Sequence, residues 1–238
     1  MHRLTPLLLR LGLYYPLRRA VLAWRQRGAT PAQVFAAIYR ENRWQGSESR
    51  SGEGSSWRQT ERLAHALPAV LRRLEVNCLL DVPCGDFHWM SRVDLTGIHY
   101  IGGDIVPEVI AANSAAHAAP GRDFRVLDLT VGPLPAADMV FCRDCLVHLP
   151  FALIWRAIAQ VRASGARYLM ATTFPDTQVN HDITVGDFRP INLQRAPFHF
   201  PPPLELVVEG CTEAGGRHAD KAMGVWRVAD LPDAAGTA

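Results

Sequence analysis

The amino-acid sequence has the composition of a globular protein: 238 residues, of which 48% are hydrophobic and 20% charged, with a net charge of +2. These values exclude collagen-like, coiled-coil and wholly disordered proteins. The length fits one large α/β domain with a short appendage. The five cysteines are an odd number without a repeating spacing, so we expect no disulfide framework and a reducing cytoplasm as the compartment.

Charge is unevenly distributed along the chain. Residues 1–40 contain seven arginines and no acidic residue, whereas the rest of the chain has a formal charge of −5. Binding to nucleic acid requires a basic surface on the domain itself, and the acidic body argues against one. We therefore expect no nucleic-acid partner.

The amino-terminal segment, residues 1–28, mixes leucines and aromatic residues with arginines. Its longest apolar run, residues 6–9, is too short to span a bilayer, and Arg10 interrupts the apolar region that a signal peptide needs. Pro16 predicts a short first helix and a second helix from about Leu17. Two interpretations remain open. The segment is either a basic amphipathic helix in peripheral contact with the inner membrane surface, or an accessory helix on the domain.

A short helix and a flexible loop are predicted next. Pro31 near the first turn and apolar residues at helical spacing predict a helix over residues 31–42. Glycine and serine dominate residues 46–56, which predicts a flexible loop. Since helical patterns flank it, the loop is either a plain linker or a lid over a ligand. We assign residues 1–56 to a basic helical segment with this lid loop, and residues 57–238 to the main domain.

The main domain alternates strand-like and helical segments. Apolar runs typical of strands occur at residues 78–82, 100–103, 124–127, 139–142 and 168–172. Helical patterns occur at residues 57–75, 88–95, 106–118 and 150–164. The alternation predicts an α/β fold with a Rossmann-like, mostly parallel, seven-stranded sheet. Two late runs, at 204–208 and 223–228, predict an antiparallel carboxy-terminal hairpin.

Carboxylates follow four consecutive predicted strands. The first strand ends at Asp81, the second at Asp104 and the third at Asp128, and Asp144 follows the fourth. In parallel sheets, ligands bind outside the carboxyl ends of the strands. Gly85, after the first strand, lets a ligand approach the backbone closely, and Asp104 is placed to accept hydrogen bonds from a ribose diol.

Two of these strand ends resemble motifs of a known family. The sequence LLDVPCGDF at residues 79–87 resembles the first motif of class I S-adenosylmethionine-dependent methyltransferases, and CRDCLVHL at residues 142–149 resembles their fourth. The resemblance implies methyl transfer with S-adenosylmethionine as cofactor, with Asp104 at its ribose and Asp128 at its adenine amino group. It assigns the following residues to the cofactor: Asp81, Pro83, Cys84, Gly85, Asp86, Asp104, Ile105, Asp128, Leu129 and Arg143.

The first motif departs from the family pattern at two positions. Pro83 and Phe87 stand where the family usually has glycine, so we expect Pro83 to stiffen the turn and Phe87 to cap the site with its ring. A nicotinamide-dinucleotide fold is the rival, but its phosphates need three glycines, and Asp86 would face the pyrophosphate. S-Adenosylmethionine is positively charged at sulfur and has no phosphate, so an acidic rim favours it.

The catalytic candidates, His148 and Asp144, follow the fourth strand. His148 is either a general base that takes a proton from a hydroxyl or a histidine that anchors the next helix. If that helix begins by Asp144, the two side chains share one face and the carboxylate orients the imidazole. Cys142 and Cys145 form a C-x-x-C pair without a second pair or a thioredoxin-like context, and we interpret them as packed thiols.

Residues 174–203 form a long predicted loop that is rich in hydrogen-bonding side chains. Loops of this length within a compact domain are usually functional, so we predict that this one recognises the substrate. The candidate substrate residues are His181, Asp182, Asp187, Arg189 and Asn192. A magnesium site formed by the first three is an alternative, but their spacing is not diagnostic and no metal is predicted.

The sequence thus predicts an enzyme that moves the methyl group of S-adenosylmethionine to a small polar acceptor, a hydroxyl of a sugar or metabolite. The polar loop favours such a small-molecule or glycan acceptor over an apolar one. Two alternatives remain: an N-methyltransferase that acts on an amine or a protein, and a non-catalytic protein that binds the cofactor.

Overall fold

A computed structural model describes residues 14–233 of the chain. Its helices are α1 (Tyr14–Arg25), α2 (Pro31–Arg40), α3 (Trp57–Arg73), α4 (Pro107–His117) and α5 (Phe151–Ala163). Its strands are β1 (Cys78–Asp81), β2 (His99–Asp104), β3 (Arg122–Val126), β4 (Met139–Cys142), β5 (Tyr168–Thr173), β6 (Glu205–Val208) and β7 (Ala222–Arg227). Shorter helical turns occur at Glu53–Ser55, Met90–Arg92, Leu146–His148, Glu213–Gly216 and Val228–Asp230.

The seven strands form one sheet in the order β3-β2-β1-β4-β5-β7-β6. Strands β1 to β5 are parallel to one another, whereas β7 runs antiparallel to both β5 and β6. The predicted fold, a mostly parallel seven-stranded sheet with an antiparallel carboxy-terminal hairpin, is confirmed. The strand order reverses between β1 and β4, and in α/β sheets such a point forms a crevice where ligands bind.

The central strands are buried because helices cover both faces of the sheet. In β4, Met139 and Phe141 pack in the cluster on the α3 side, while Val140 packs in the cluster on the α5 side. Successive side chains of a strand point to opposite faces, so each face has its own apolar cluster. All three side chains are 0% exposed, and the sheet is a rigid support for the loops at its carboxyl edge.

Helix α2 begins with a capping box. Thr30 Oγ1 accepts a hydrogen bond from the Gln33 amide at 3.3 Å, and Gln33 Oε1 accepts one from the Thr30 amide at 2.8 Å. Pro31 occupies the first turn, as the sequence predicts. Val34 and Ile38 are buried on one side of the helix, and Ala36 packs with Val106 and Val109, so α2 is fixed to the domain.

Two local predictions are wrong or incomplete. The helix predicted over residues 88–95 is only the turn Met90–Arg92, and the apolar residues behind that prediction, Trp89 and Met90, are buried in the α3-side cluster. The first short helix predicted before Pro16 falls largely outside the described residues. Helix α1 itself includes Pro16 instead of beginning at about Leu17.

Helix α1 packs on the loop at residues 174–203 through two ion pairs. Arg18 Nε lies 2.6 Å from Asp187 Oδ1, and Arg19 Nη1 lies 3.1 Å from Asp182 Oδ2. Within residues 14–233, no helix combines the length and apolarity that crossing a bilayer requires. The ion pairs agree with the accessory-helix interpretation of this segment.

Candidate functional site

A cavity opens at the carboxyl ends of β1, β2 and β4, where the strand order reverses. It contains about 1100 Å³ of space, its open mouth included, which is ample for a small-molecule ligand. All ten residues that the sequence assigns to the cofactor line it: Asp81, Pro83, Cys84, Gly85, Asp86, Asp104, Ile105, Asp128, Leu129 and Arg143. His148 and Asp144 line it as well. The residues predicted from the sequence therefore lie together at this cavity. The role of each residue stays a prediction.

Asp104 is the buried carboxylate at the end of β2. Its oxygens accept hydrogen bonds from the Val106 amide at 2.9 Å and the Gly85 amide at 3.2 Å. The residue is 7% exposed, and this burial raises its pKa to about 6, although the amide hydrogen bonds oppose the rise. A buried carboxylate in a cleft with a perturbed pKa is typical of a functional site.

Asp81, at the end of β1, is a second buried carboxylate on the same rim. The Tyr100 hydroxyl donates a hydrogen bond to its Oδ2 at 2.6 Å. Burial raises the pKa of Asp81 to about 7, and the nearby charge of Asp104 adds to the rise. The β1 and β2 strand ends thus present two carboxyl groups that are costly to ionise until a positive or hydrogen-bond-donating ligand faces them.

The glycine- and serine-rich loop at residues 46–56 lies over the first motif. Asp86 accepts hydrogen bonds from Ser49 Oγ at 2.8 Å and from the Arg50 amide at 2.9 Å, and its own amide donates to Ser51 Oγ at 3.1 Å. Arg50, Ser51 and Ser55 line the cavity. One aspartate of the motif therefore holds this loop in place.

Gly85 is required where the loop meets the motif. Its backbone is left-handed, with φ +53°, a conformation that glycine adopts without strain. A Cβ atom at this position would lie 2.4 Å from Ser51 Oγ. A side chain there would displace Ser51 Oγ, which accepts the hydrogen bond of the Asp86 amide.

Four charged side chains form a network that includes two residues of the cavity wall, Arg143 and Asp144. Arg143 makes a two-point contact with Glu209 at 2.9 and 2.7 Å, and Lys221 Nζ lies 2.5 Å from Asp144 Oδ2 and 3.4 Å from Glu209 Oε2. Arg143 Nη1 lies 3.2 Å from Asp144 Oδ2. The charges sum to zero, and the side chains of Arg143, Lys221 and Glu209 are at most 4% exposed. Buried charges of this kind are stable only when they are paired.

The network keeps Asp144 ionised. Burial opposes the charge of this carboxylate, but Lys221 and Arg143 outweigh that effect and hold its pKa well below the ordinary value. Arg143 also donates a hydrogen bond to the Gly54 carbonyl at 2.8 Å, which ties the loop at residues 46–56 to the network. Sequence reasoning missed Glu209 and Lys221. The available signal was that Lys221 is the only lysine of the chain.

His148 lies at the cavity with one nitrogen engaged. Its Nδ1 lies 2.8 Å from the Asp187 carbonyl oxygen. A carbonyl oxygen can only accept, so Nδ1 has the proton and Nε2 has the lone pair in the neutral ring. Burial lowers the pKa of His148, which keeps the ring neutral near pH 7. Trp44 stacks on one ring face with centroids 4.7 Å apart, and Phe188 lies 5.8 Å away at a tilt.

The predicted arrangement of Asp144 and His148 on one helix face is wrong. No helix begins at Asp144, whose backbone is left-handed with φ +52°. A turn at Leu146–His148 follows, and α5 begins only at Phe151. Asp144 pairs with Lys221 and Arg143, so the Asp187 carbonyl, and not Asp144, orients the imidazole.

Phe87 does not cap the site. Its ring is 1% exposed and packs in the core against Tyr100 and Phe124, with centroids 5.1 and 5.2 Å away. Phe87 has a left-handed backbone, with φ +57°. Because an aromatic ring gains more by burial in the core than at a solvent-facing cavity, the departure from glycine at this position supports the sheet.

The predicted substrate residue Arg189 supports the backbone. Its guanidinium donates hydrogen bonds to the carbonyls of Leu146 at 2.7 Å, Leu149 at 2.9 Å and His181 at 3.1 Å. The residue is 1% exposed. It therefore ties the loop at residues 174–203 to the turn that bears His148, and its role toward a substrate stays a prediction.

The other predicted substrate residues also form hydrogen bonds and ion pairs within the protein. Asp182 accepts a hydrogen bond from the Phe151 amide at the start of α5, at 2.8 Å, and Asn192 donates to two backbone carbonyls. Asp187 is 3% exposed and pairs with Arg18. None of the five, His181 included, lines the cavity that the described residues enclose. Among residues 14–233, no three His, Cys, Asp or Glu side chains are grouped to hold a metal ion.

Sequence reasoning missed the aromatic wall of the cavity. The wall comprises Phe35 and Tyr39 of α2, together with Trp44, Trp89 and Phe141. Phe35 and Tyr39 are four residues apart, so they share one face of α2. That spacing, in a helix just before the glycine-rich loop, was the signal in the sequence.

Comparison with known proteins shows the fold. No family model and no curated protein match the chain. Human N-acetylserotonin methyltransferase in complex with S-adenosylmethionine is similar with a TM-score of 0.57 at 15% identity, over 84% of this chain and 60% of that one. The chain thus spans less than two thirds of the human enzyme.

Two bacterial structures are similar over more of their own length. One is the Burkholderia thailandensis 1,6-didemethyltoxoflavin-N1-methyltransferase with bound 1,6-didemethyltoxoflavin and S-adenosylhomocysteine (TM-score 0.55, 14% identity, 82% of this chain, 86% of that one). The other is the methyltransferase domain of a bacterial Hen1 (TM-score 0.53, 10% identity, 71% of this chain, 99% of that one). Together with the strand order, these similarities show that the chain has the class I S-adenosylmethionine-dependent methyltransferase fold.

Proposed function

We propose that this protein is an S-adenosylmethionine-dependent methyltransferase that methylates a hydroxyl group of a small molecule. The observation that carries the proposal is His148, a neutral imidazole whose Nδ1 is held by the Asp187 carbonyl, at the same cavity as the buried carboxylate of Asp104. A base and a nucleoside-binding carboxylate at one cavity are what methyl transfer to a hydroxyl requires.

The residues of the rim fit the cofactor. Asp104 would accept the ribose hydroxyls, and Ile105 and Leu129, which also line the cavity, would provide apolar surfaces for the adenine. Asp128 Oδ1 accepts hydrogen bonds from the amide and hydroxyl of Thr130, both at 2.7 Å, which holds this carboxylate at the wall for the adenine amino group. An acidic rim suits a ligand that has a positive charge and no phosphate.

The chemistry divides between the cofactor and the chain. When bound, S-adenosylmethionine supplies an electrophilic methyl group on a positively charged sulfur and departs as S-adenosylhomocysteine. His148 Nε2 accepts the proton of the acceptor hydroxyl as the oxygen gains the methyl group, and the imidazolium then returns the proton to water. The Asp187 carbonyl keeps Nδ1 protonated, and the negative charge of Asp144 favours the imidazolium.

We propose that the loop at residues 46–56 is a lid within the amino-terminal segment 1–56. Asp86 and Arg143 hold it across the cavity, and residues of this loop line the wall. A covered cavity favours a small acceptor over a protein or a glycan chain. The sugar acceptor predicted from the polar loop at residues 174–203 loses its support, because those side chains are engaged within the protein.

Transfer of an isotope tests this function. We expect S-adenosylmethionine and S-adenosylhomocysteine to bind in a calorimetric titration. Methyl-labelled S-adenosylmethionine and a small-molecule cell extract should yield a labelled methyl ether, identified by mass spectrometry. Binding without any labelled product would indicate a non-catalytic binding protein, and labelled amines would indicate N-methylation. Absence of cofactor binding would overturn the proposal altogether.

We also propose that α1 contacts the inner membrane surface from the cytoplasm. Leu17, Val21 and Trp24 are 50%, 39% and 74% exposed and recur at the spacing of one helix face. The absence of acidic residues from residues 1–40 suits an anionic lipid surface. The five cysteines are all free thiols, which suits a reducing compartment.

Vesicle sedimentation tests the membrane contact. The protein should sediment with anionic vesicles at low salt and be released at high salt, because ions screen the attraction. Replacement of Leu17, Val21 and Trp24 by serine should abolish sedimentation, whereas Val208→Ser, at an exposed position of the edge strand β6, should not. Equal sedimentation of all variants would leave α1 with its packing role alone.

A further inference from the structure

Three neighbours surround the His148 ring. Trp44 covers one ring face and Phe188 lies against the ring at a tilt, while Nδ1 is bound to the Asp187 carbonyl. The side chain is nonetheless part of the cavity wall. The remaining edge, with Nε2, is therefore where an acceptor hydroxyl meets the base.

The wall next to this edge is apolar and aromatic. Trp44 stacks on His148, and Phe35 follows with its centroid 6.3 Å from that of Trp44. Leu149, the residue after His148, also lines the cavity. Aromatic rings favour offset-stacked or edge-to-face contacts with other rings at such distances, so this wall suits a flat ring.

Two charged side chains of the cavity wall, Arg143 and Asp144, are already engaged. Arg143 donates to Glu209 and to the Gly54 carbonyl, and Asp144 pairs with Lys221. A sugar needs hydrogen-bond partners for several hydroxyls, and each hydroxyl buried without one costs affinity. An apolar molecule with a single hydroxyl avoids this cost, because its one hydroxyl pairs with His148.

The acidity of the hydroxyl also favours an acceptor other than a sugar. A phenol, with a pKa of about 10, is about 3.5 pKa units less acidic than an ordinary histidinium. A hydroxyl as weakly acidic as that of water, with a pKa of about 15.7, is about nine units less acidic. Burial lowers the pKa of His148 further, so this base is matched much better to a phenol than to a sugar hydroxyl.

We propose that the acceptor is a phenol, with its ring against Trp44 and Phe35 and its hydroxyl at His148 Nε2. This inference rests on the proposed methyl transfer. In the reaction the phenol oxygen forms a bond to the methyl carbon as the carbon–sulfur bond breaks, and the phenol proton passes to Nε2. The products are an aryl methyl ether and S-adenosylhomocysteine, and the proton is released to water.

Binding to the protein saturated with S-adenosylhomocysteine is the first test. 4-Methylphenol, catechol and 2-naphthol are titrated beside methyl glucoside and benzylamine. At least one phenol should bind about tenfold more tightly than the glucoside or the amine, and labelled S-adenosylmethionine should convert it to the methyl ether. If S-adenosylhomocysteine binds but no phenol does, or if the glucoside or the amine is methylated in preference, the phenol inference is overturned. Failure of S-adenosylhomocysteine to bind would instead reject the proposed function.

Variants of Trp44 test the placement of the ring. Trp44→Ala should weaken phenol binding about tenfold and leave S-adenosylhomocysteine binding unchanged, whereas Trp44→Phe should retain most of the affinity. Leu206→Ala, at an exposed position of β6, is the control. Unchanged phenol affinity in Trp44→Ala would overturn the proposed subsite. If the alanine variant does not fold, loss of phenol affinity in a folded Trp44→Phe protein would overturn it instead.

Discussion

The rim formed by the carboxyl ends of β1, β2 and β4 and the loop at residues 174–203 are both rich in polar side chains. These side chains lie in different places relative to the cavity. Every cofactor residue predicted at the rim lines the cavity, and no substrate residue predicted in the loop does. The two regions differ in how their backbone amides and carbonyls find hydrogen-bond partners. Strand amides and carbonyls pair within the sheet, and the side chains at the strand ends lie at the cavity wall even where, as at Asp104, they also accept backbone amides.

The loop has scattered internal backbone hydrogen bonds, such as that from the Phe174 amide to the Ile191 carbonyl, but no regular ladder. Its carbonyls and those of the adjoining turn need donors, and Arg189 and Asn192 supply them. Asp182 accepts the amide at the start of α5. Polar residues in a long irregular segment therefore serve the backbone first, and an abundance of them is weak evidence for substrate recognition. The loop still acts on the site, because its Asp187 carbonyl orients His148.

His148 joins the two regions and gives the largest expected effect. We predict that His148→Ala lowers turnover by about 10²–10⁴-fold, because it removes the base that accepts the hydroxyl proton. Cofactor affinity should change little. Turnover is measured with the labelled methyl donor, and His199→Ala, at an exposed histidine of the same loop, is the matched control. Near-normal turnover in a folded His148→Ala protein would remove His148 from the chemistry.

Replacement of Arg189 tests whether this residue of the loop at residues 174–203 stabilises the fold. Arg189→Ala should lower the free energy of unfolding by about 3 kcal/mol or more, because buried carbonyls lose a charged donor. The measurement is a urea titration followed by circular dichroism. Arg195→Ala, which alters an exposed arginine of the same loop, should change stability by less than about 0.5 kcal/mol. Unchanged stability with weakened acceptor binding would restore the substrate role of Arg189.

Asp104 tests the rim. A hydrogen bond to a charged group contributes about 1.5–3 kcal/mol, so Asp104→Ala should weaken S-adenosylmethionine binding about ten- to a hundredfold. Calorimetric titration provides the affinity. Asp123→Ala on β3, whose side chain is 50% exposed, should bind as the wild type does. Equal affinity in Asp104→Ala and wild type would remove Asp104 from the cofactor site.

The dependence of binding on pH is a smaller effect at the same residue. The pKa of Asp104 is raised by burial to about 6, so its carboxylate is lost as pH falls through that value. A ribose hydroxyl donates better to the ionised form, and affinity should fall about tenfold from pH 7 to pH 5. Asp104→Asn should show a flatter profile. Parallel profiles would assign the titration to another group, such as Asp81.

Several features could be predicted from the sequence alone. Apolar runs alternating with helical patterns identify the sheet, because the periodicities of strands and helices are local properties of the chain. Residues that end parallel strands, such as Asp81 and Asp104, meet at one edge whatever the details of packing. The sequence by itself therefore determined the fold class and the composition of the rim.

Only the tertiary structure decided which groups pair. Asp144 and His148 are close in sequence, but the left-handed turn at Asp144 directs its carboxylate to Lys221, 77 residues away. Phe87 stands at a glycine position of a cofactor motif and packs in the core. Such outcomes depend on burial and on long-range charges, which no local pattern encodes, because an unpaired buried charge or carbonyl is costly wherever its partner lies in the chain.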